Sequence, residues 1–168
     1  MQAWSIAGSL LAALSGVMLC LALFTDYWLV AYGPKDTGHS GLWQECWPVC
    51  QSPAPVQAYI QATRAFIILA FLASLVVAGS LLVPITACVR SPANLSLTAS
   101  VAAFAAACCT IIAMSAFTAE SWNKNQAPDV QLTFEWSFYL GWAALPLLLL
   151  SGVFAIVIHT RHAGYEQM

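Results

Sequence analysis

The most constraining feature of this chain is where its charges are not. Asp26, Lys35, Asp36, Glu45, Arg64, Arg90, Glu120, Lys124, Asp129, Glu135, Arg161 and Glu166 carry all of them, leaving uncharged runs at 1–25, 65–89, 91–119 and 136–160. A helix needs about 20 apolar residues to cross the hydrocarbon core of a bilayer, so each run is long enough for one span. Each span must be helical, because backbone amides cannot go unpaired in lipid. Only 7% of the 168 residues are charged and 61% are hydrophobic. A soluble domain carries about 25% charge, and a disordered chain needs low hydrophobicity, so both classes are excluded. The net charge of −2 leaves no electrostatic footprint for nucleic acid.

The expected organisation is a single four-span membrane domain over 1–168. Its spans lie at about 4–25, 64–89, 96–118 and 137–160, its outer loops at about 26–63 and 119–136, and a cytoplasmic tail at 161–168. The first run lacks a basic n-region and exceeds the usual signal-peptide core, so it reads as a retained span. An even number of spans puts both termini on one side. Loop bases are nearly balanced and orient the chain weakly. Cys46 and Cys50 in the first long connector can pair only in an oxidising compartment, which places that connector outside or in a lumen and the termini in the cytoplasm. Asn94-Leu95-Ser96 is a formal glycosylation acceptor. In this topology it faces the cytoplasm and is expected to stay unmodified.

In lipid, helices associate through close packing of small residues. Gly8, Ala12 and Gly16 recur on one face of the first span, Ser74 and Ala78 on the second, and Ser151 and Ala155 on the fourth. The third is rich in small residues from Ala102 to Cys109. The expected fold class is an all-α membrane protein: a left-handed bundle of four transmembrane helices carrying a small extracellular or lumenal antiparallel β-sheet. The small-residue faces read as internal packing rather than an oligomer interface. No ionisable residue stands mid-span, which argues against a pump or transporter. Pro84 and Pro146 read as a helix end and a kink.

The sheet is expected from Tyr27–Tyr32, from Gly41–Cys46 after a turn at Gly33-Pro34-Lys35-Asp36, and from Val130–Phe134. Pro53 and Pro55 end pairing before the second span. Cys46 and Cys50 are spaced to staple a tight turn around Trp47-Pro48-Val49, worth roughly 2 kcal/mol for so short a loop. The alternative, a metal site with His39 nearby, lacks two further ligands, so no metal is expected. Asp26 and Arg64 bound the connector and either pair with each other or snorkel separately to water. Tyr27, Trp28, Trp43, Trp47, Tyr59, Trp122, Trp136, Tyr139 and Trp142 gather on the outer side, where several suit an interfacial belt, while Trp43 and Trp47 fall outside the spans and suit an outer subdomain.

Thr25-Asp26-Tyr27-Trp28, then Gly41-Leu42-Trp43, then Cys46 and Cys50 together resemble the signature of the claudin and peripheral myelin protein superfamily. Thr63-Arg64-Ala65-Phe66 and the run Trp136–Trp142 resemble its lens fibre intrinsic protein branch. The resemblance covers the whole chain. It implies four helices under an outer sheet, cytoplasmic termini, a Cys46–Cys50 disulfide, and signature roles for Trp28, Gly41, Leu42, Trp43 and Arg64. Gly38-His39-Ser40-Gly41-Leu42-Trp43, Ala102–Ala107 and the Gly-Tyr-Glu tail are similar to a branch serving cytotoxic lymphocyte granules. That branch implies a non-enzymatic protein of the plasma membrane and lysosome-related granule membrane that promotes granule trafficking and exocytosis. Classical claudins have wider cysteine spacing and a PDZ-binding Tyr-Val ending, whereas this chain ends in Gln167-Met168.

Gly164, Tyr165 and Met168 form a Gly-Tyr-x-x-hydrophobic tail that resembles sorting signals read by clathrin adaptors, set against the alternative of a frayed terminus. Cys88, beside Arg90, is a palmitoylation candidate. The chain holds no His-Glu-x-x-His, phosphate-binding glycine loop or Gly-x-Ser-x-Gly, so neither enzyme activity nor a cofactor is expected. Glu120, Asp129 and Glu135 share a connector without a Ca²⁺-loop pattern and read as solvated surface. The expected partners are membrane lipids, a clathrin adaptor at the tail, and other membrane proteins or further copies of the chain. The competing reading is a cell–cell adhesion or junction protein of the lens or myelin type.

Overall fold

The computed structural model describes residues 2–33, 37–86, 92–124 and 131–166. Among them run four helices: α1 (Gln2–Phe24), α2 (Ala58–Thr86), α3 (Pro92–Lys124) and α4 (Trp136–Glu166). All four are long and apolar enough to cross a membrane. They form a ring in which α1 and α3 each pack against both α2 and α4, while α2 and α4 sit diagonally and barely touch.

Because apolar residues surround these helices, side-chain size decides which faces meet. An added Cβ at Gly8 would lie 2.9 Å from Leu81 Cδ1, and one at Gly16 would lie 2.7 Å from Ser74 Oγ. Ala12, Ser74, Ser151 and Ala155 are fully buried. The small-residue faces are therefore consumed inside the bundle. Buried hydroxyls tie the helices across these seams. Ser9 Oγ donates to the Ala78 carbonyl (3.1 Å) and Ser151 Oγ to the Gly8 carbonyl (2.8 Å). In lipid such bonds satisfy groups that water cannot reach.

Three helices extend beyond the uncharged runs that define the expected spans: α2 begins at Ala58, α3 continues to Lys124 and α4 reaches Glu166. Charge marks where hydrocarbon ends, not where a helix ends. Arg64, Glu120 and Arg161 all lie within helices.

A five-stranded antiparallel sheet lies at one end of the bundle, in the order β4-β3-β2-β1-β5. Its strands are β1 (Leu29–Tyr32), β2 (Thr37–Ser40), β3 (Glu45–Cys46), β4 (Cys50–Gln51) and β5 (Gln131–Phe134). β1 lies between β2 and the edge strand β5, pairing Leu29 with Ser40 on one side and with Phe134 on the other. The expected strand over Gly41–Cys46 is corrected. Thr37–Ser40 supplies the hairpin partner, and Gly41–Gln44 turns, closed by the Gly41 N–H on the Gln44 carbonyl (2.9 Å). That segment is committed to contacts with the helices, described next, and cannot also extend a ladder.

Candidate functional site

The sheet is held to the helices by one cluster, built around Trp28. Its side chain is fully buried, its Nε1 donates to the Ala22 carbonyl near the end of α1 (2.6 Å), and its ring meets Phe117 edge-on at 4.7 Å and Phe138 at 6.1 Å. The backbone on either side is tied as well: the Trp28 N–H donates to Ser40 and its carbonyl accepts from Glu135, while the Tyr27 carbonyl accepts from Ser137 at the start of α4. Thr25 and Ser137 hydroxyls share a hydrogen bond of 2.7 Å. The residues around Trp28 thus bind α1, the sheet and α4 into one unit.

The turn after β2 forms the second half. Gly41 lies against the chain at the end of α1, where a Cβ would be 2.5 Å from Asp26 Cα and 2.8 Å from the Thr25 carbonyl oxygen. Leu42 is fully buried. Its carbonyl accepts from Arg64 Nε (2.8 Å) and also from Arg64 Nη2. The Arg64 guanidinium lies over the Trp43 ring at 4.4 Å, and Trp43 Nε1 donates to the Leu23 carbonyl (2.8 Å). A carbonyl and an aromatic face thus hold the partly exposed Arg64 guanidinium. Trp28, Gly41, Leu42, Trp43 and Arg64 are thereby gathered into one clasp between sheet and bundle.

Beside the clasp, Cys46 and Cys50 form a disulfide across the β3–β4 pair. Gly38 leaves room for the Trp47 ring, which would collide with any Cβ there. A cavity of about 200 Å³ opens here, lined by His39, Glu45, Cys46, Trp47 and Leu132 among others. His39 stacks on Tyr27 (4.6 Å, 4° between planes), and Tyr27 in turn on Trp136 (6.0 Å). Sequence reasoning missed this stack, because its three residues come from different segments and no spacing links them. Tyr32, Trp47, Trp122 and Tyr139 are exposed.

At the opposite end, Trp4 of α1 packs edge-on to Phe154 of α4 (5.2 Å), with the Arg161 guanidinium 5.9 Å above the Trp4 ring. The helix carries on through Gly164 and Tyr165, and a Cβ at Gly164 would meet nothing within 4 Å. The tail residues up to Glu166 are thus helical rather than extended. Asn94 is exposed within α3. Cys88 and Met168 lie outside the described residues.

A profile of the PMP-22/EMP/MP20/Claudin family matches residues 3–155. The chain is 37% identical over 163 residues to Protein NKG7 of Homo sapiens, covering 95% of this chain and 96% of that one. It is 34% identical over 145 residues to Claudin domain-containing protein 2 of Mus musculus, covering 86% and 80% respectively. It is also 29% identical over 161 residues to Lens fiber membrane intrinsic protein of Bos taurus, covering 92% and 91%.

Proposed function

The chain belongs to the PMP-22/EMP/MP20/claudin family of multi-pass membrane proteins, and from that premise we propose that it is a non-enzymatic protein of the plasma membrane and lysosome-related granule membrane. It promotes granule trafficking and exocytosis through contacts with other membrane proteins. The sheet faces the lumen or the exterior and both termini face the cytoplasm. The disulfide supports that orientation, since it needs an oxidising compartment. Asn94 is then cytoplasmic and unglycosylated, and Cys88 is a juxtamembrane palmitoylation candidate. The side chains of the clasp join elements to one another.

The observation that carries this reading is the tail. Gly164 and Tyr165 lie in the last turn of α4, the helix that begins at Trp136 beside the sheet, and Met168 follows in the sequence at the spacing of an adaptor-read signal. A clathrin adaptor is the partner this predicts. The test is the distribution of the chain and of its Tyr165→Ala variant between the cell surface and a lysosomal-membrane marker, with the tag in the β1–β2 loop. Wild type in granules and variant at the surface supports an address in the tail; equal distribution removes it.

A second reading, adhesion of the lens or myelin type, is favoured by the exposed aromatics Tyr32 and Trp47 on the sheet. It predicts that both forms stay at cell contacts in the same experiment.

A further inference from the structure

Three side chains of metal-ligand chemistry meet on adjacent strands outside the clasp. His39 on β2 pairs with Cys46 on β3, and Cys46 pairs with Cys50 on β4, so the ladder itself lines them up in one row. A ligand atom from each lies within 4.8 Å of the others. While the sulfurs are bonded to each other they hold no ion. We propose that reduction of this disulfide converts the row into a three-ligand site for a thiophilic divalent cation of the Zn²⁺ class.

The chemistry balances with a dithiol as reductant. A thiolate of the dithiol attacks Cys50 Sγ, which belongs to an exposed residue, and the S–S bond breaks to release the Cys46 thiolate. The second thiol of the dithiol then displaces Cys50 and closes the dithiol's own disulfide. Two electrons and two protons have passed to the protein. Binding of the cation displaces both thiol protons and takes a nitrogen of neutral His39.

Two further observations favour the site. The cavity of about 200 Å³ bordered by His39, Glu45 and Cys46 leaves room for a water in the fourth position, the open arrangement that three protein ligands allow. The cysteine spacing also falls within that of paired zinc ligands. Reduction need not unfold the sheet. The clasp of Trp28, Leu42, Trp43 and Arg64 uses neither cysteine, and so short a loop constrains the chain little.

The test uses the full chain in detergent micelles with Cys20→Ala, Cys88→Ala, Cys108→Ala and Cys109→Ala, so that only the pair remains. It is reduced with a phosphine and titrated with Co²⁺, followed by Zn²⁺ as competitor. The expected result is one Co²⁺ per reduced chain, with thiolate charge-transfer absorption and a tetrahedral visible band that Zn²⁺ erases, and none in the oxidised chain. His39→Ala should weaken Co²⁺ binding to the reduced chain at least tenfold; the thermal unfolding temperature of the oxidised form should fall only by the loss of the His39–Tyr27 stack, which shows that the variant still folds. The proposal is overturned if the reduced chain takes up no Co²⁺, or if His39→Ala binds as tightly as the parent.

Discussion

Arg64 reaches from α2 to the turn after β2, where its guanidinium lies 4.4 Å from the centre of the Trp43 indole. That indole is itself hydrogen-bonded to Leu23 at the end of α1. One cation–aromatic contact therefore joins α1, α2 and the sheet. It does so without a carboxylate, and the Leu42 carbonyl takes the guanidinium hydrogens.

Arg64→Ala removes both interactions and leaves the buried end of the turn without its donor. The expected loss is about 2–3 kcal/mol, the sum of a partly desolvated cation–π contact and a charge-assisted hydrogen bond. Arg64→Lys keeps the charge but loses the planar fork, and should cost roughly half as much. Thermal unfolding in detergent measures both. Equal stability of Arg64→Ala and wild type would remove the clasp's energetic role.

Gly41 is required for space. A Cβ there meets the backbone of Asp26 and Thr25, which cannot swing aside as a side chain tip does. Gly41→Ala should destabilise by about 1–3 kcal/mol, the usual cost of overpacking. Gly79→Ala is the matched control, because its Cβ would meet nothing within 4 Å. It should be neutral or slightly stabilising through helix propensity. Comparing melting temperatures of the two separates a steric need from a general glycine effect.

The clasp was legible as letters but not as geometry. Trp28, Gly41, Leu42, Trp43 and Arg64 stand out in the sequence through the resemblance they carry, yet nothing in spacing says that a main-chain carbonyl rather than Asp26 receives the arginine. The β2 strand was illegible for a physical reason. Gly38 has poor strand propensity, and the strand exists because β1 supplies a ladder and Trp47 needs the space that Gly38 leaves. The four spans were plain, because exclusion of charge from lipid acts on composition alone. The helix ends were not legible in the same way, because a helix can continue past the point where charge is allowed.

Two buried serines should respond in opposite senses. Ser151 Oγ donates to the Gly8 carbonyl across the α1–α4 seam. Ser151→Ala should cost about 0.6 kcal/mol, the average for interhelical bonds in a membrane protein, and no more than about 1.7 kcal/mol. Ser121 on α3 is equally buried, but among the described residues its hydroxyl has no partner. Ser121→Ala should therefore be neutral or stabilise by about 1 kcal/mol, since it deletes an unpaid desolvation penalty. Unfolding in detergent by a denaturing surfactant ranks the two; a larger loss for Ser121→Ala would contradict both assignments.

The helical tail bears on how the proposed address is read. An adaptor of this kind takes an extended peptide, whereas α4 runs on through Tyr165 to Glu166. Recognition then requires the last turn to unwind, and Gly164 lowers that cost, since glycine is about 1 kcal/mol less favourable than alanine within a helix. Its surroundings are open, so Gly164→Ala introduces no clash. The substitution should lower the unwound population roughly fivefold by that difference and slow internalisation from the surface accordingly. Gly164→Pro disrupts the helix at the same position and should preserve or accelerate uptake. Internalisation of a loop-tagged chain reads both. If alanine and proline slow uptake alike, glycine itself is what the adaptor recognises, and the helix is not the gate.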